Sequence, residues 1–403
     1  MTPAEKILSK SLAASGLPSS EWSRVQAGLR DRAFFSARVE SARVLHSMRE
    51  ACARVASADL SASDARKAIR DTLAREGYAP APGEAGTIRD LASRRRLDLV
   101  LRQNVESARG YAQRREGLAG GAFLAYPAQE LVRAESRNAP RDWRARWKAA
   151  GGRLVDGGRM VALKTDPVWA AISRFGQPWP PFDYNSGMGL EDVSYTEAVR
   201  LGLVAEGGRP SPPPPEDFNA GLSAKVPFDE NSREWPWLKQ QFGDQIQLVD
   251  GSIEWRGEII RENFQRGGKF TMRLGMPSGD LIKKCAARPE TEDAARMLFQ
   301  KERQLVIDEG WLNKQRKQGG DHRVHFAPMP DHQESKPLEI GDCDLIPSIW
   351  RKPDRVYNAG SGSVCLEIDS LQGDVFRMIV NLSKEAPRMQ TFYRTSSPYT
   401  EKQ

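Results

Sequence analysis

The stretch 363–395, SVCLEIDSLQGDVFRMIVNLSKEAPRMQTFYRT, alternates apolar and polar residues in three short runs separated by turn-forming text. The runs are SVCLEID, DVFRMIVNL and QTFYRT, and that period of two predicts three β-strands joined by LQGD-type and longer turns. Alternation puts Leu366, Ile368, Phe376, Met378, Val380 and Phe392 on one face, toward a core. Glu367, Arg377, Thr391 and Tyr393 then share the opposite face. A short apolar helix in CDLIPSIWRKPDRV precedes the strands. A helix packed on a three- to four-stranded antiparallel sheet is therefore expected, as a small separate α+β domain over 319–403.

Upstream, residues 291–314, beginning TEDAARMLFQKERQLVIDEGWLN, predict one amphipathic helix. Ala294, Met297, Leu298, Leu305 and Val306 would form its apolar face. Residues 220–318 otherwise read as a mixed helical connector. WPWLKQQFG, SIEWRGEIIRENF and KFTMRLGM suggest short helices and at least one strand. A polyproline stretch, SPPPPE within 207–216, marks 206–219 as a stiff linker.

Residues 1–125 read almost entirely as helix, so an α-helical N-terminal half is expected. In AFFSARVESARVLHSMREACARVA (33–56), Phe35, Val39, Val44, Leu45, Met48 and Cys52 fall largely at steps of three and four. Ser61 or Ser63 would cap the next helix and Gly77 would end it. A third helix, or a pair, spans 87–120, with Leu97, Val100, Leu101, Asn104 and Val105 on one face. His46 falls at a polar helix position and is expected to have no role.

Charge is uneven along the chain. Residues 1–200 hold 32 Lys and Arg against 23 Asp and Glu, while the remainder holds 28 against 30. The basic half could lie against packaged DNA or an acidic protein partner, or could be an arginine-rich solvated surface. No apolar run reaches the length of a membrane span, and MTPAEKILSKSLAASG lacks the apolar core of a secretory signal. Cys52, Cys285, Cys343 and Cys365 are scattered without a CxxC spacing. They read as reduced thiols of a chain made in the cytoplasm, not as a disulfide frame or a zinc site.

Residues 126–205 are dense in tryptophan and proline. YPAQELVRAESRNAPRDWRARWKAAGG (126–152) and MVALKTDPVWAAISRFGQPWPPFDYNSGMGLEDVS (160–194) carry an R-x-x-S-R-x-x-P-R-D-W segment, a D-P-V-W segment and P-P-F-D-Y-N-S-G-M-G. This text resembles the Mu F-like minor head proteins of tailed phages, over residues 30–205. The resemblance implies a head-morphogenesis protein made in the bacterial host and located inside the virion or procapsid. Its implied partners are portal and capsid or scaffold proteins. Physically, Trp143, Trp147, Trp169 and Trp179 would bury large rings, and Arg133, Arg137 and Arg141 would clamp carboxylates. Internal support of a loop-rich fold is the favoured role for all of them. Many members of that family carry Cys and His residues here that resemble a metal site. This chain has neither between 120 and 210, so no metal is carried over and no cofactor is implied.

The C-terminal text has a second resemblance. LIPSIWRKPDRVYN (345–358), with an I-P-x-I-x-x-x-P-D-x-V core, followed by the three strand runs and a T-x-Y ending, resembles phage-associated nuclease domains of the barnase–EndoU–colicin–RelE-like superfamily. It covers about residues 320–399 and implies a barnase-like fold and metal-independent cleavage of RNA. Such cleavage needs a base for the 2′-hydroxyl, an acid for the leaving oxygen, and cations or donors on the phosphate. Three of the chain's four histidines, His322, His325 and His332, cluster just before the helix of this domain. His322 or His325 is the expected acid or base, Arg377 the phosphate clamp, Thr391 and Tyr393 donors, and Glu367 a further candidate base. Against this, polar residues decorate the wet face of any half-buried sheet, and the second half of the chain lacks a basic stripe. A purely structural virion protein with an inactive nuclease-like domain is the competing expectation. Transfer of ADP-ribose is a weaker one, lacking its glycine-flanked Arg, S-T-S strand and E-x-E pair.

Overall fold

A computed structural model describes residues 1–212, 226–227, 234–266, 269–299, 304–308, 335–397 and Tyr399. The N-terminal part opens with helix α1 (Pro3–Leu8), whose N-cap Thr2 and N3 Glu5 close a reciprocal capping box. Strands β1 (Ser11–Leu12) and β2 (Ala33–Phe34) pair in parallel, so this part is not wholly helical. The long helices follow as α2 (Ala42–Ala56), α3 (Ala62–Arg75) and α4 (Arg94–Gly117). Each begins at a serine whose side chain accepts an otherwise unpaired backbone N–H: Ser41 from Val44, Ser61 from Asp64, Ser93 from Arg96. Ser61 rather than Ser63 is thus the cap of α3. Gly77, at φ +75°, ends the turn after it in the left-handed region that glycine enters without cost.

The tryptophan- and proline-rich block has two hydrophobic clusters of its own. Strand β3 (Ala128–Arg133) lies between β4 (Val161–Leu163) and β5 (Met188–Val193), antiparallel to both. Helix α5 (Trp143–Ala149) packs Trp143 and Trp147 with Trp169, Phe182 and Leu131. Trp147 meets Trp169 edge to face at 5.1 Å. The block meets the helices through Trp179, whose ring lies 5.2 Å from Tyr111 on α4. Gly110 of α4 touches the Pro180 carbonyl so closely that a Cβ would stand 2.4 Å from it.

Beyond the proline-rich stretch, β6 (Val226–Pro227), β7 (Ile246–Val249) and β8 (Ser252–Trp255) form a small antiparallel sheet in the order β6–β8–β7. Helix α6 (Arg256–Arg266) and strand β9 (Thr271–Leu274) come next. Helix α7 runs only Glu292–Phe299, and Leu305–Asp308 is strand β10. The single helix expected over 291–314 is therefore corrected. Leu305 and Val306 leave the helical stripe and pair with Leu274 and Arg273. Leu305, Val306 and Ile307 make a short apolar run, which periodicity alone cannot tell from a buried helical turn.

The C-terminal part comprises β11 (Ser335–Lys336), helix α8 (Ile346–Arg351), β12 (Arg355–Gly360), β13 (Ser363–Asp369), β14 (Val375–Asn381) and β15 (Arg388–Thr395). The expected meander is present, but the sheet is larger and mixed. Its path runs β12–β13–β14–β15–β10–β9, with β11 also on β15. The pairing of β10 with β15 is parallel, which corrects the expectation of a small, all-antiparallel sheet. Of the added strands, β9 and β10 come from the region read as a connector, while β11 and β12 lie within 319–403.

Leu366, Ile368, Phe376, Met378, Val380 and Phe392 are all buried, on the face the alternation assigned. They do not pack on one local helix. A single hydrophobic cluster joins them to Ile7, Leu45 and Met48 of α1 and α2, Leu97 of α4, Ile260 of α6 and Trp350 of α8. The separateness expected of the C-terminal unit is corrected accordingly, since the sheet and the N-terminal helices share one core. Among the described residues, no helix is long and apolar enough to cross a membrane.

Candidate functional site

Register brings four of the polar residues into one line across the sheet. Arg355 pairs with Glu367, Glu367 with Arg377, and Arg377 with Tyr393. Arg377 Nε donates to Glu367 Oε1 at 2.8 Å, and Arg377 Nη1 donates to the Tyr393 hydroxyl at 2.9 Å. From the other side Arg355 Nε donates to Glu367 Oε2 at 3.0 Å, while its outer nitrogens bind Asp369. Thr391 pairs with Ile379, two residues before Tyr393 and on the same face. The sequence-predicted group Glu367, Arg377, Thr391 and Tyr393 is thus on one face, with the first, second and fourth in a continuous hydrogen-bonded row. His322 and His325 lie outside the described residues.

Burial sets the electrostatics of this row. Glu367 is 0% exposed and Arg377 only 8%. Burial opposes the charge on Arg377, but the Tyr393 hydroxyl and the Glu367 carboxylate outweigh it and hold its pKa above the ordinary guanidinium value. Burial pushes the Tyr393 phenol up, with the Arg377 contacts pulling the other way. Arg355 is held fully charged, chiefly by its hydrogen bond to Asp369. A buried carboxylate between two guanidiniums, with a phenol alongside, combines a proton acceptor with donors suited to an anion.

Sequence reading missed Arg355, Tyr357, Asp369, Arg288 and Tyr399 around this row. Arg355 and Tyr357 alternate with buried Val356, the same period-two signal that found the other strands. Assigning KPDRV to the preceding helix hid it. Arg288 sits over the Tyr357 ring at 5.0 Å, and Tyr399 lies 5.5 Å from that ring. Both come from distant text with no local pattern.

A second polar centre lies on the other side of the sheet, and it corrects the reading of His46. That residue is 4% exposed, and its Nε2 is 2.9 Å from Asp342 Oδ1. Arg49, one turn on, contacts the same carboxylate and donates to the Leu8 and Lys10 carbonyls at 3.0 and 3.1 Å. Glu50 pairs with Arg394 of β15 at 2.9 Å, and Arg394 with Asp374 at 2.8 Å. The polar side of α2 therefore faces a charged partner and not water. Burial alone would raise the Asp342 pKa, but the Arg49 charge and the His46 contact drive it well below the usual carboxylate range. Asp344, two residues on, is pushed up to about 7 by burial. Its Oδ2 accepts the Leu12 N–H at 2.9 Å, and its Oδ1 has no hydrogen-bond partner among the described residues.

Asp344 borders a cavity of about 330 Å³ between the start of α2 and α8, lined also by Arg43, Glu76, Asp244, Arg256 and Arg351. Several of these charges satisfy one another. Arg43 pairs with Glu76 and with Asp354, and Arg256 with Asp244. Among the described residues, no group of three or more His, Cys, Asp and Glu side chains is arranged to hold a metal ion.

In the tryptophan-rich block the arginines hold loops. Arg137 Nε donates to the Asn185 carbonyl at 3.0 Å, and Arg141 Nη2 to the Tyr184 carbonyl at 2.9 Å. Arg146 pairs with Asp183 at 2.9 Å. Elsewhere in the basic half, Arg32 pairs with Glu258, Arg66 with Asp98, and Arg159 with Glu130 and Glu197. The chain matches no protein-family model, no curated protein and no solved structure.

Proposed function

We propose that this chain is a head-morphogenesis protein of a tailed phage, acting at the procapsid or portal, whose C-terminal sheet carries a metal-independent endoribonuclease centre. The head role rests on the resemblance of residues 30–205. It is compatible with a block whose arginines brace its own loops. Portal and capsid or scaffold proteins are the partners, with packaged DNA against the basic half. The location is the virion or procapsid interior, and recovery with procapsids at low copy number is the expected result.

The nuclease role rests on one observation, the row Glu367, Arg377 and Tyr393 within hydrogen-bond distance on adjacent strands. Glu367 takes the proton of a ribose 2′-hydroxyl, so that the 2′-oxygen forms a bond to phosphorus. The bond from phosphorus to the 5′-oxygen breaks, and His322 or His325 protonates the departing oxygen. The products are a 2′,3′-cyclic phosphate and a 5′-hydroxyl. Arg377 and Arg355 hold the phosphate as its charge grows, and Tyr393 and Thr391 supply neutral donors.

Full-length chain incubated with single-stranded RNA in EDTA is expected to cleave it. Arg377→Ala is expected to lower the rate by about 100-fold or more, the usual consequence of removing a donor to transition-state charge. An inert wild-type chain, or one silenced by EDTA, overturns the nuclease role. A second reading is favoured by the complete burial of Glu367 between two arginines. In that case the row is structural, the domain serves binding, RNA survives, and Arg377→Ala lowers stability alone.

A further inference from the structure

The described end of the chain folds back onto the polar row and touches the very atoms assigned to the substrate. Arg377 Nη2 donates to the Ser397 carbonyl at 2.7 Å. The Tyr399 N–H donates to Glu367 Oε1 at 3.1 Å. The Tyr399 ring lies 5.2 Å from the Arg377 guanidinium and 5.5 Å from the Tyr357 ring, tilted 39° to the latter. Arg288 sits 5.0 Å over Tyr357, and Arg377 5.3 Å over Tyr393. Cations and rings thus form one continuous stack, Arg288, Tyr357, Tyr399, Arg377 and Tyr393, in which Tyr357 and Tyr399 meet ring to ring.

Each of these contacts has a counterpart in a bound ribonucleotide. A carbonyl oxygen on the outer nitrogen of Arg377 stands where a phosphate oxygen would. An N–H donating to Glu367 stands where a 2′-hydroxyl would donate. An aromatic ring against a tyrosine and a guanidinium stands where a base would stack, since any base offers a π-face to such surfaces.

We infer that Ser397 and Tyr399 occupy the nucleotide subsite of the sheet-face centre, with Tyr399 filling a base-binding slot between Tyr357 and Arg377. These two residues compete there with single-stranded RNA. This rests on the nuclease role proposed above. A tethered segment acts at a high effective concentration, on the order of millimolar, so few contacts suffice to hold the slot closed. Tail and RNA bind the same atoms, so the centre opens only when the tail leaves.

A chain ending at Thr395 and full-length Tyr399→Ala are compared with the unaltered chain for binding and cleavage of a short fluorescein-labelled oligoribonucleotide. The truncated chain is expected to bind about ten-fold tighter or more and to cleave faster, with Tyr399→Ala between the two. That gain corresponds to about 1.4 kcal/mol. Tyr357→Ala introduced into the truncated chain is expected to return most of the gain. If the truncated chain does not fold, Tyr399→Ala alone decides. Equal affinity and rate in altered and unaltered chains, with all of them cleaving, overturns the inference and leaves the nuclease role standing. Neither binding nor cleavage by any chain overturns the nuclease role, and the inference with it.

Discussion

Asp342→Ala destabilises the chain by on the order of 3–5 kcal/mol, the cost of removing one partner from a fully buried ion pair. Asp342 and Arg49 are both 0% exposed, and His46 shares the carboxylate at 2.9 Å. Without Asp342 the guanidinium keeps the Leu8 and Lys10 carbonyls but loses its counter-charge in a place water does not reach. The loss reads in urea denaturation as a lowered midpoint. Because Arg49 is on α2 while Glu50 of the same helix grips Arg394 of β15, helices and sheet are expected to unfold together.

Its neighbour Asp344 gives the opposite sign. The native pKa of Asp342 is depressed, so its contribution is present above the unfolded carboxylate value, about 4, and fades as pH falls toward the native one. The native pKa of Asp344 is raised to about 7, so the folded chain binds a proton there that the unfolded chain releases. Stability on this account falls as pH rises from about 4 to 7 and is level beyond. Asp344→Asn is expected to raise stability at pH 8 by up to about 4 kcal/mol, the equivalent of the shift, and to change little below pH 4. The amide oxygen can still accept the Leu12 N–H. Denaturation midpoints of the variant that stay below those of the unaltered chain at pH 8 would contradict this.

The second large effect belongs to the tryptophan-rich block. Trp147→Ala is expected to cost about 3–5 kcal/mol, as deletion of a large buried aromatic leaves a cavity its neighbours only partly refill. The Trp147 ring is 0% exposed, packs edge to face on Trp169, and donates its Nε1–H to the Arg153 carbonyl at 2.8 Å. Gly152 is moulded to it, since a Cβ there would stand 2.4 Å from the indole. The cluster of Trp143, Trp147, Trp169 and Phe182 is distinct from the large shared core. The variant should therefore lower the protection of amide hydrogens in 126–205 more than in β13–β15. Equal loss in both would show the block has no independent core.

What could be read from the sequence was the period of single elements. Leu366, Phe376 and Phe392 inward with Glu367, Arg377 and Tyr393 outward follows from the pleat alone, and a serine cap marks the start of α3. What stayed hidden was pairing between distant text. His46, Arg49 and Glu50 look solvated because they share the polar face of an amphipathic helix; their partners Asp342 and Arg394 come from distant text. Leu305 continues a helical stripe by spacing and becomes a strand because β9 and β15 offer it edges. Arg355 and Tyr357 were lost to a helix that Pro353 and the start of β12 had already ended.

The central functional claim is that the sheet face cuts RNA through its 2′-hydroxyl. It is tested most directly by offering the full-length chain two strands of one sequence in EDTA, one all-ribose and one all-2′-deoxyribose. The ribose strand should be cut to cyclic phosphate ends and the deoxyribose strand should survive. Cleavage of both strands, or of neither, would contradict it.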